Sequence, residues 1–447
     1  MVAKTVSVSI IALILFTGCS TLTQKEAFSS LENLASERGI SNLQWIKTAQ
    51  EAAMVDESVR ALLSAPLTQE NAVRIMLINN RVLQQMYEEI GIAQSELVEA
   101  GLMRNPLLGY SIGRANGITT STLSVEVAFL DLLWIPLRRE LGGLALEETT
   151  FRVGDSVLRS ARDAKKSYVD ARVAEEKVAL NRSILKSHEA SLQLAVRQYT
   201  AGNLSKREML KIQDAYQHAR IESMKLAREN ASAREALNTL LGLYGEQTHY
   251  TLSTEPLKPT ESVITESGLE KRAIANRLDM RSAIKSVDYA AMQAGYTQNT
   301  RLLDEVELSL ESEKTTGEKR FNTFGIKLPI PIFDFGQARV SKSEAMYNQS
   351  VHHLYERAVT IRSEVRERYG HYRYSYDIAK EYDEVIVKNN QQILEETQLF
   401  YNGMLDGIYE LLEDQRRAGE AKIEALEARG EYQKGEADLE YTIGGKL

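Results

Sequence analysis

Few side chains in this sequence are placed to do chemistry, and those few fall in two neighbourhoods. The first is acidic. Glu208 follows Gly202 by six residues, while Glu410 and Glu413 follow Gly403 by seven and ten. Carboxylates spaced i, i+3 share one face of a helix. Repeated around a symmetric pore, they would form a ring that favours cations and hinders anions; on an isolated helix they are an ordinary solvated face. The second neighbourhood holds Cys19, the only cysteine, directly after Thr17-Gly18. A lone cysteine excludes a disulfide framework. His352-His353 suggests a metal, but helical neighbours point about 100° apart, and no cysteine or second nearby histidine completes a ligand set. His188, His218, His249 and His371 are dispersed. No metal site and no cofactor is therefore expected. A phosphate-binding glycine loop, a Ser/His/Asp set and an HExxH-type helix are all missing, so the chain is not expected to be an enzyme.

The elements that position the acidic residues are long helices. Counting back from Gly202, apolar residues recur every seven places at Tyr199, Leu192, Leu185 and Val178. Counting back from Gly403, the same frame gives Phe400, Ile393, Ile386 and Ala379, a constant shift of 201 (403 − 202) that runs on through Leu204/Leu405 and Leu210/Leu411. A seven-residue apolar period packs helices as a left-handed coiled coil. The chain is therefore read as two copies of a long helical hairpin, each turning at a glycine in the left-handed region. From about Leu141 to Tyr199 the first of these helices would span roughly 85–90 Å, too long for a compact domain. Scarce proline (7) and abundant Ala, Leu, Glu, Lys and Arg agree with long helices.

Ahead of each hairpin lie two short stretches of period-two alternation. Leu108, Tyr110 and Ile112 share one face, and Leu123, Val125, Val127 and Phe129 share another, with Arg114-Ala115-Asn116-Gly117 as the turn between them. In the second copy Val306, Leu308 and Leu310 alternate with Glu305, Glu307, Ser309 and Glu311, and Phe324, Ile326 and Leu328 follow after Lys314-Thr315-Thr316-Gly317. Both pairs read as β-hairpins, over 106–130 and 303–330. Each half is then helix, β-hairpin, long helix, tip, helix: residues 67–250 and 267–447, joined by a linker over 251–266. Thr68 is placed to cap the first helix, which is expected to run to about Met103, and its counterpart to cover about Ser267–Asn299. The fold class is mainly α with a small β portion. Four strands cannot close a barrel, about eight being the smallest filled one, and an open sheet in lipid leaves backbone groups unpaired. Three copies would give twelve strands and wrap the long helices into a tube. The net charge of −8 and pI near 5.6 argue against a nucleic-acid partner.

At the N-terminus, Lys4 precedes an apolar run, Val6–Phe16, too short to span a bilayer comfortably. With Leu15-Phe16-Thr17-Gly18-Cys19-Ser20 it resembles the lipobox of bacterial lipoproteins. That resemblance implies cleavage of a signal peptide, residues 1–18, fatty acylation of Cys19, and sorting to the outer membrane because Ser20 is not Asp. The alternative is an ordinary signal peptide with an incidental cysteine. Residues 19–66 would form an N-terminal periplasmic segment, helical from Ser20 to Ser64.

From about Leu67 to Leu447 the chain resembles the TolC family of trimeric outer-membrane efflux proteins. The resemblance is carried by Asn71-Ala72, Asn79-Asn80, Asn105-Pro106, Tyr199-Thr200-Ala201-Gly202 and Pro331-Ile332-Phe333-Asp334-Phe335-Gly336, in that family's order. It implies a homotrimer with a twelve-stranded β-barrel in outer-membrane lipid and an α-helical tunnel across the periplasm. It further implies passive export opened by a periplasmic adaptor and an inner-membrane pump. Residues at the tips, Gly202, Leu204 and Ser205 with Gly403, Leu405 and Asp406, would meet the adaptor. Glu208, Glu410 and Glu413 would stand at the tunnel entrance, the last two if one residue is inserted after Gly403. A different class, a periplasmic coiled-coil scaffold or adaptor lipoprotein without a pore, shares the lipobox and the hairpins. It would carry one hairpin rather than a duplicated pair.

Overall fold

The computed structural model describes residues 24–257, 264–302 and 306–446. The leader, Cys19 and Glu305 lie outside them. In chain order the elements are α1 (Gln24–Ser36), α2 (Ala49–Leu63), α3 (Gln69–Asn79), α4 (Arg81–Ala100), β1 (Leu107–Ala115), β2 (Ile118–Ala128), α5 (Asp131–Thr200) and α6 (Lys206–Leu241). The second half supplies α7 (Leu269–Asn276), α8 (Leu278–Thr300), β3 (Glu307–Thr315), β4 (Phe321–Lys327), α9 (Gln337–Glu381), a π-helical turn (Tyr382–Ile386), α10 (Val387–Asn402) and α11 (Ile408–Thr442). No helix among the described residues is long and apolar enough to cross a membrane.

Two compact units share these elements. Of the described residues, the first comprises those within 24–34, 86–154 and 278–359. Its four strands form one antiparallel sheet in the order β1-β2-β3-β4. Register puts Leu108, Val125, Leu310 and Phe324 in one cross-strand row and Val127, Leu308 and Ile326 in the next. All these side chains therefore share one face, and the period-two reading of both hairpins is correct. Leu108, Leu310 and Phe324 are 74%, 60% and 62% exposed on it. The opposite face carries Glu126, Glu307, Glu311 and Glu313 among Gly, Ser and Thr, with Leu107, Ile118 and Phe321 at strand ends and Lys327 paired to Glu126. Elsewhere in this unit Tyr87, Leu31 and Ile90 are fully buried, and Phe28 meets the Tyr87 ring edge-on at 5.3 Å.

The opening of α5 belongs to the same unit. The helix starts at Asp131, ahead of Pro136, which therefore lies inside it. Arg104 holds the buried Asp131 carboxylate with two bonds, 2.7 and 3.0 Å, and keeps its carboxyl below the usual carboxylate range. A carboxylate at a helix N-terminus also suits the helix dipole. Because its folded-state pKa is lowered, the stabilisation is present above the ordinary carboxylate range and is lost as pH falls through the lowered value. Arg104→Met is therefore expected to depress the thermal midpoint at pH 7, with the gap from wild type closing as the buffer is taken to pH 2. A gap that stays constant with pH would show that Asp131 owes nothing to Arg104.

The second unit comprises the described residues within 35–85, 155–277 and 360–446 and is largely helical. Thr68 caps α3 as expected, accepting from the Asn71 amide at 3.2 Å. The long first helix is, however, broken at Asn80, which is extended (φ −66°, ψ 121°), and its counterpart is broken at Arg277 (φ −65°, ψ 134°). Side chains make the first break. Asn80 Oδ1 accepts from the amides of Val82 and Leu83 at 2.8 and 3.0 Å, which starts α4. Its Nδ2 donates to Leu240 O at 2.6 Å, while Asn79 Nδ2 donates to Leu241 O and Gly242 O, both at 2.9 Å. The orphan carbonyls at the end of α6 are thereby satisfied. Gly242 turns there at φ 70°, and a Cβ on it would sit 2.9 Å from Asn79 O. Helix also stops short in the N-terminal segment, where residues 37–48 join α1 to α2 without any.

Register between the two long hairpins departs from the constant 201. Up to the π-turn the shift holds: buried Ala164, Ala171 and Ala174 match buried Val365, Tyr372 and Ser375. Beyond it every landmark moves by 202. The helix ends are Thr200 and Asn402 (402 − 200 = 202), the N-caps Ser205 and Gly407, and the closing left-handed glycines Gly242 and Gly444. The second hairpin thus holds one extra residue, and the π-turn is where it is absorbed, since i→i+5 bonding fits an added residue into a helix.

Candidate functional site: the hairpin tips

The first tip closes as its sequence suggests. Past Thr200, the amides of Ala201, Gly202 and Asn203 bond back to Arg197, Tyr199 and Gln198 carbonyls at 2.9–3.0 Å, and Gly202 takes the left-handed conformation (φ 78°). Ser205 then starts α6 through a reciprocal capping box: its Oγ accepts from the Glu208 amide at 3.2 Å, and Glu208 Oε2 accepts from the Ser205 amide at 3.1 Å. The bonds from Ser205 hold the Glu208 carboxyl below its ordinary range. Glu208 is therefore occupied in building the helix start.

At the second tip the residue types part from the geometry. Gly403 is at φ −79°, and the left-handed residue is Met404 (φ 59°), the counterpart of Gly202 at a shift of 202. A side chain in that region costs about 1–2 kcal/mol. Met404 and Leu405 project, 94% and 73% exposed. Gly407 begins α11 without a side-chain cap, and Glu410 Oε2 folds back to within 2.8 Å of where a Gly407 Cβ would stand.

Beneath both turns Ala195, Ile212 and Leu412 form a small core with Leu192, Leu204, Met209 and Ile408 packed on it. Leu204 is thus a packing residue, whereas Leu405, Asp406 and Ser205 are exposed. Glu410 and Glu413 do rise from one face of α11 but differ electrostatically. Glu413 accepts from Arg416 at 2.6 and 3.1 Å and from Arg417 at 3.3 Å, chiefly Arg416 pulling its carboxyl below the ordinary range. Glu410 has no ion pair among the described residues. Beside this core a groove of about 640 Å³ runs between α5, α6 and α11, lined by Ile184, His188, Leu226, Tyr409 and Arg416 among others. His188, which looked dispersed, is 6% exposed with Nδ1 unbonded; burial, then Arg416, pushes its pKa down. Its place seven residues before Ala195 is the sequence signal that marks it as a seam position.

Residues 269–445 match the protein family described as outer membrane efflux protein. That match runs from α7 to the end of α11, and it makes the second half of the chain similar to the outer-membrane efflux proteins of the TolC family. Similar proteins include nodulation protein T of Rhizobium leguminosarum bv. viciae, 25% identical over 291 residues, or 60% of each chain. Another is the cobalt-zinc-cadmium resistance protein CzcC of Cupriavidus metallidurans, 24% identical over 62% of this chain and 66% of that one. The match thus spans about 60% of the nodulation protein's length. Among solved structures the Campylobacter jejuni CmeC outer membrane channel superposes with a TM-score of 0.74 at 14% identity, covering 85% of this chain and 86% of CmeC. At that identity the likeness is one of fold: mainly helical with few strands, as in TolC-family channels. Such channels are not enzymes.

Proposed function

We propose that this protein is the outer-membrane exit duct of a tripartite efflux system. Three copies close their four-stranded sheets into a twelve-stranded barrel, and their hairpins form a helical tunnel below it. A periplasmic adaptor docks at the tips and an inner-membrane pump supplies the energy. The observation that carries this reading is the sheet. One face is apolar and exposed on all four strands, the other carries Glu126, Glu307, Glu311 and Glu313 with large apolar side chains only at strand ends, and edges β1 and β4 have no strand partner among the described residues. Exposed edges in lipid cost several kcal/mol per unpaired group, and closure by identical neighbours removes them. Acylation of Cys19 would anchor the same assembly. Export substrates are set mainly by the pump.

At the entrance, Glu410 is the free carboxylate and Glu413 is neutralised by its arginines, so Glu410 dominates. In planar bilayers the mature protein is expected to form cross-linkable trimers of small, cation-selective conductance. Glu410→Ala should weaken cation preference and raise conductance almost as much as the Glu410→Ala/Glu413→Ala pair. Unchanged conductance in both would move the constriction away from the tips. A monomer without conductance, from a folded sample, would remove the channel and favour a scaffold lipoprotein.

A further inference from the structure

The extra residue in the second hairpin coincides with a second peculiarity of its sequence. In the first hairpin only one seven-residue series is apolar: Leu185, Leu192 and Tyr199 are followed by Lys186, Gln193 and Thr200. In the second hairpin two adjacent series are apolar: Ile386, Ile393 and Phe400, and Val387, Leu394 and Tyr401. The fold uses the latter. Thr397, at the position of buried Ala195, is 8% exposed, whereas Ile393 and Phe400 are 50% and 46% exposed. The more apolar seam is left outside, and it is the one a shift of 201 would bury.

We infer that the second hairpin is built with two registers one residue apart, and that the π-turn at Tyr382–Ile386 is the residue held in store between them. Passing that residue along to the tip end of α10 turns Val387–Asn402 by about 100° and advances it by about 1.5 Å. Ile386, Ile393 and Phe400 then replace Val387, Leu394 and Tyr401 against α11. Neither the tip nor α11 has to unfold, because the helix keeps the same number of residues.

Two contacts select the described register. Thr397 Oγ1 donates to Asp414 Oδ2 at 2.7 Å across the seam. In the shifted register Glu396 would take that place, setting two carboxylates together in a half-buried seam, which disfavours it. In the π-turn itself, Asp383 accepts from Arg429 Nε of α11 at 2.9 and 3.0 Å, pinning the stored residue where it is. α5 is helical throughout its 70 residues, so the first hairpin has neither the store nor the second seam. The device belongs to one half of a duplicated body, whatever passes through that body.

Cysteine pairs in the full chain, oxidised mildly and mapped by peptide mass spectrometry, test this. Asp414→Cys is combined with Thr397→Cys for the described register, with Glu396→Cys for the shifted one, and with Glu395→Cys as the off-face background. The Thr397→Cys pair should close fastest. The Glu396→Cys pair should close at least about tenfold faster than the Glu395→Cys pair, and faster still with Arg429→Ala. Deleting Val385 from the π-turn removes the stored residue and should bring the Glu396→Cys pair down to background. Closure of the Glu396→Cys pair no faster than the Glu395→Cys pair overturns the inference. So does Glu396→Cys closure that is indifferent to Arg429→Ala, or that persists in the Val385 deletion, since simple fraying would then explain it.

Discussion

Asn80→Ala is expected to lower the stability of the helical unit by about 3 kcal/mol, a large cost for one polar side chain. The amide does three jobs at 7% exposure. It caps α4 through the Val82 and Leu83 amides and receives the end of α6 through Leu240 O. Loss of an N-cap costs about 1 kcal/mol, and each buried group left unsatisfied adds about 1–3 kcal/mol. Asn80→Asp keeps the cap but has no donor for Leu240 O, so it should fall between the two. The measurement is the shift in urea midpoint, together with hydrogen exchange at the α6 C-terminus, where protection should drop first. A loss below about 1 kcal/mol with unchanged exchange would mean that water replaces the side chain on both helices and that the two-helix link is not structural.

That side chain also shows where the sequence stops being legible. Apolar periodicity runs through Asn79-Asn80 and Asn276-Arg277 without a fault, so the first helix of each half reads as continuous. The Asn80 break is visible only once its partner Leu240, 160 residues away, is in place. Strand faces were legible because their alternation is strict and register follows the turns Asn116-Gly117 and Thr316-Gly317. The tips were half legible. Gly202 does what a glycine there should, but the one-residue offset hid behind two overlapping apolar series, either of which satisfies a heptad. What separates them is Thr397 against Asp414, a contact across the seam that no single-strand pattern contains. For Glu413 the missing signal was present all along: Arg416 and Arg417 stand at i+3 and i+4, the spacing of helical ion pairs.

Asp438→Ala is the other substitution expected to be severe, again about 3 kcal/mol, and it separates a clamp from a surface ion pair. Asp438 of α11 is 5% exposed. Its carboxylate lies 2.8 Å from Lys166 Nζ, 3.6 Å from Arg162 Nε and 3.5 Å from Arg368 Nη1. Three cations from α5 and α9 thus converge on one anion. Removing one partner of a buried pair costs about 3–5 kcal/mol, because the charges left behind lose their counter-ion. The cations here are 23–40% exposed, which argues for the low end. Glu413→Ala is the contrast. Its carboxylate and two arginines are 31–59% exposed, so solvent already screens them and the loss should stay within about 1 kcal/mol. Salt sharpens the comparison, because screening erodes exposed pairs and spares buried ones. At high ionic strength the Glu413 effect should vanish, while Asp438→Ala keeps most of its penalty and Asp438→Asn recovers only part of it. Equal, salt-sensitive losses at both positions would show that the three cations are solvated without Asp438, and that α5, α9 and α11 are held by their apolar seams alone.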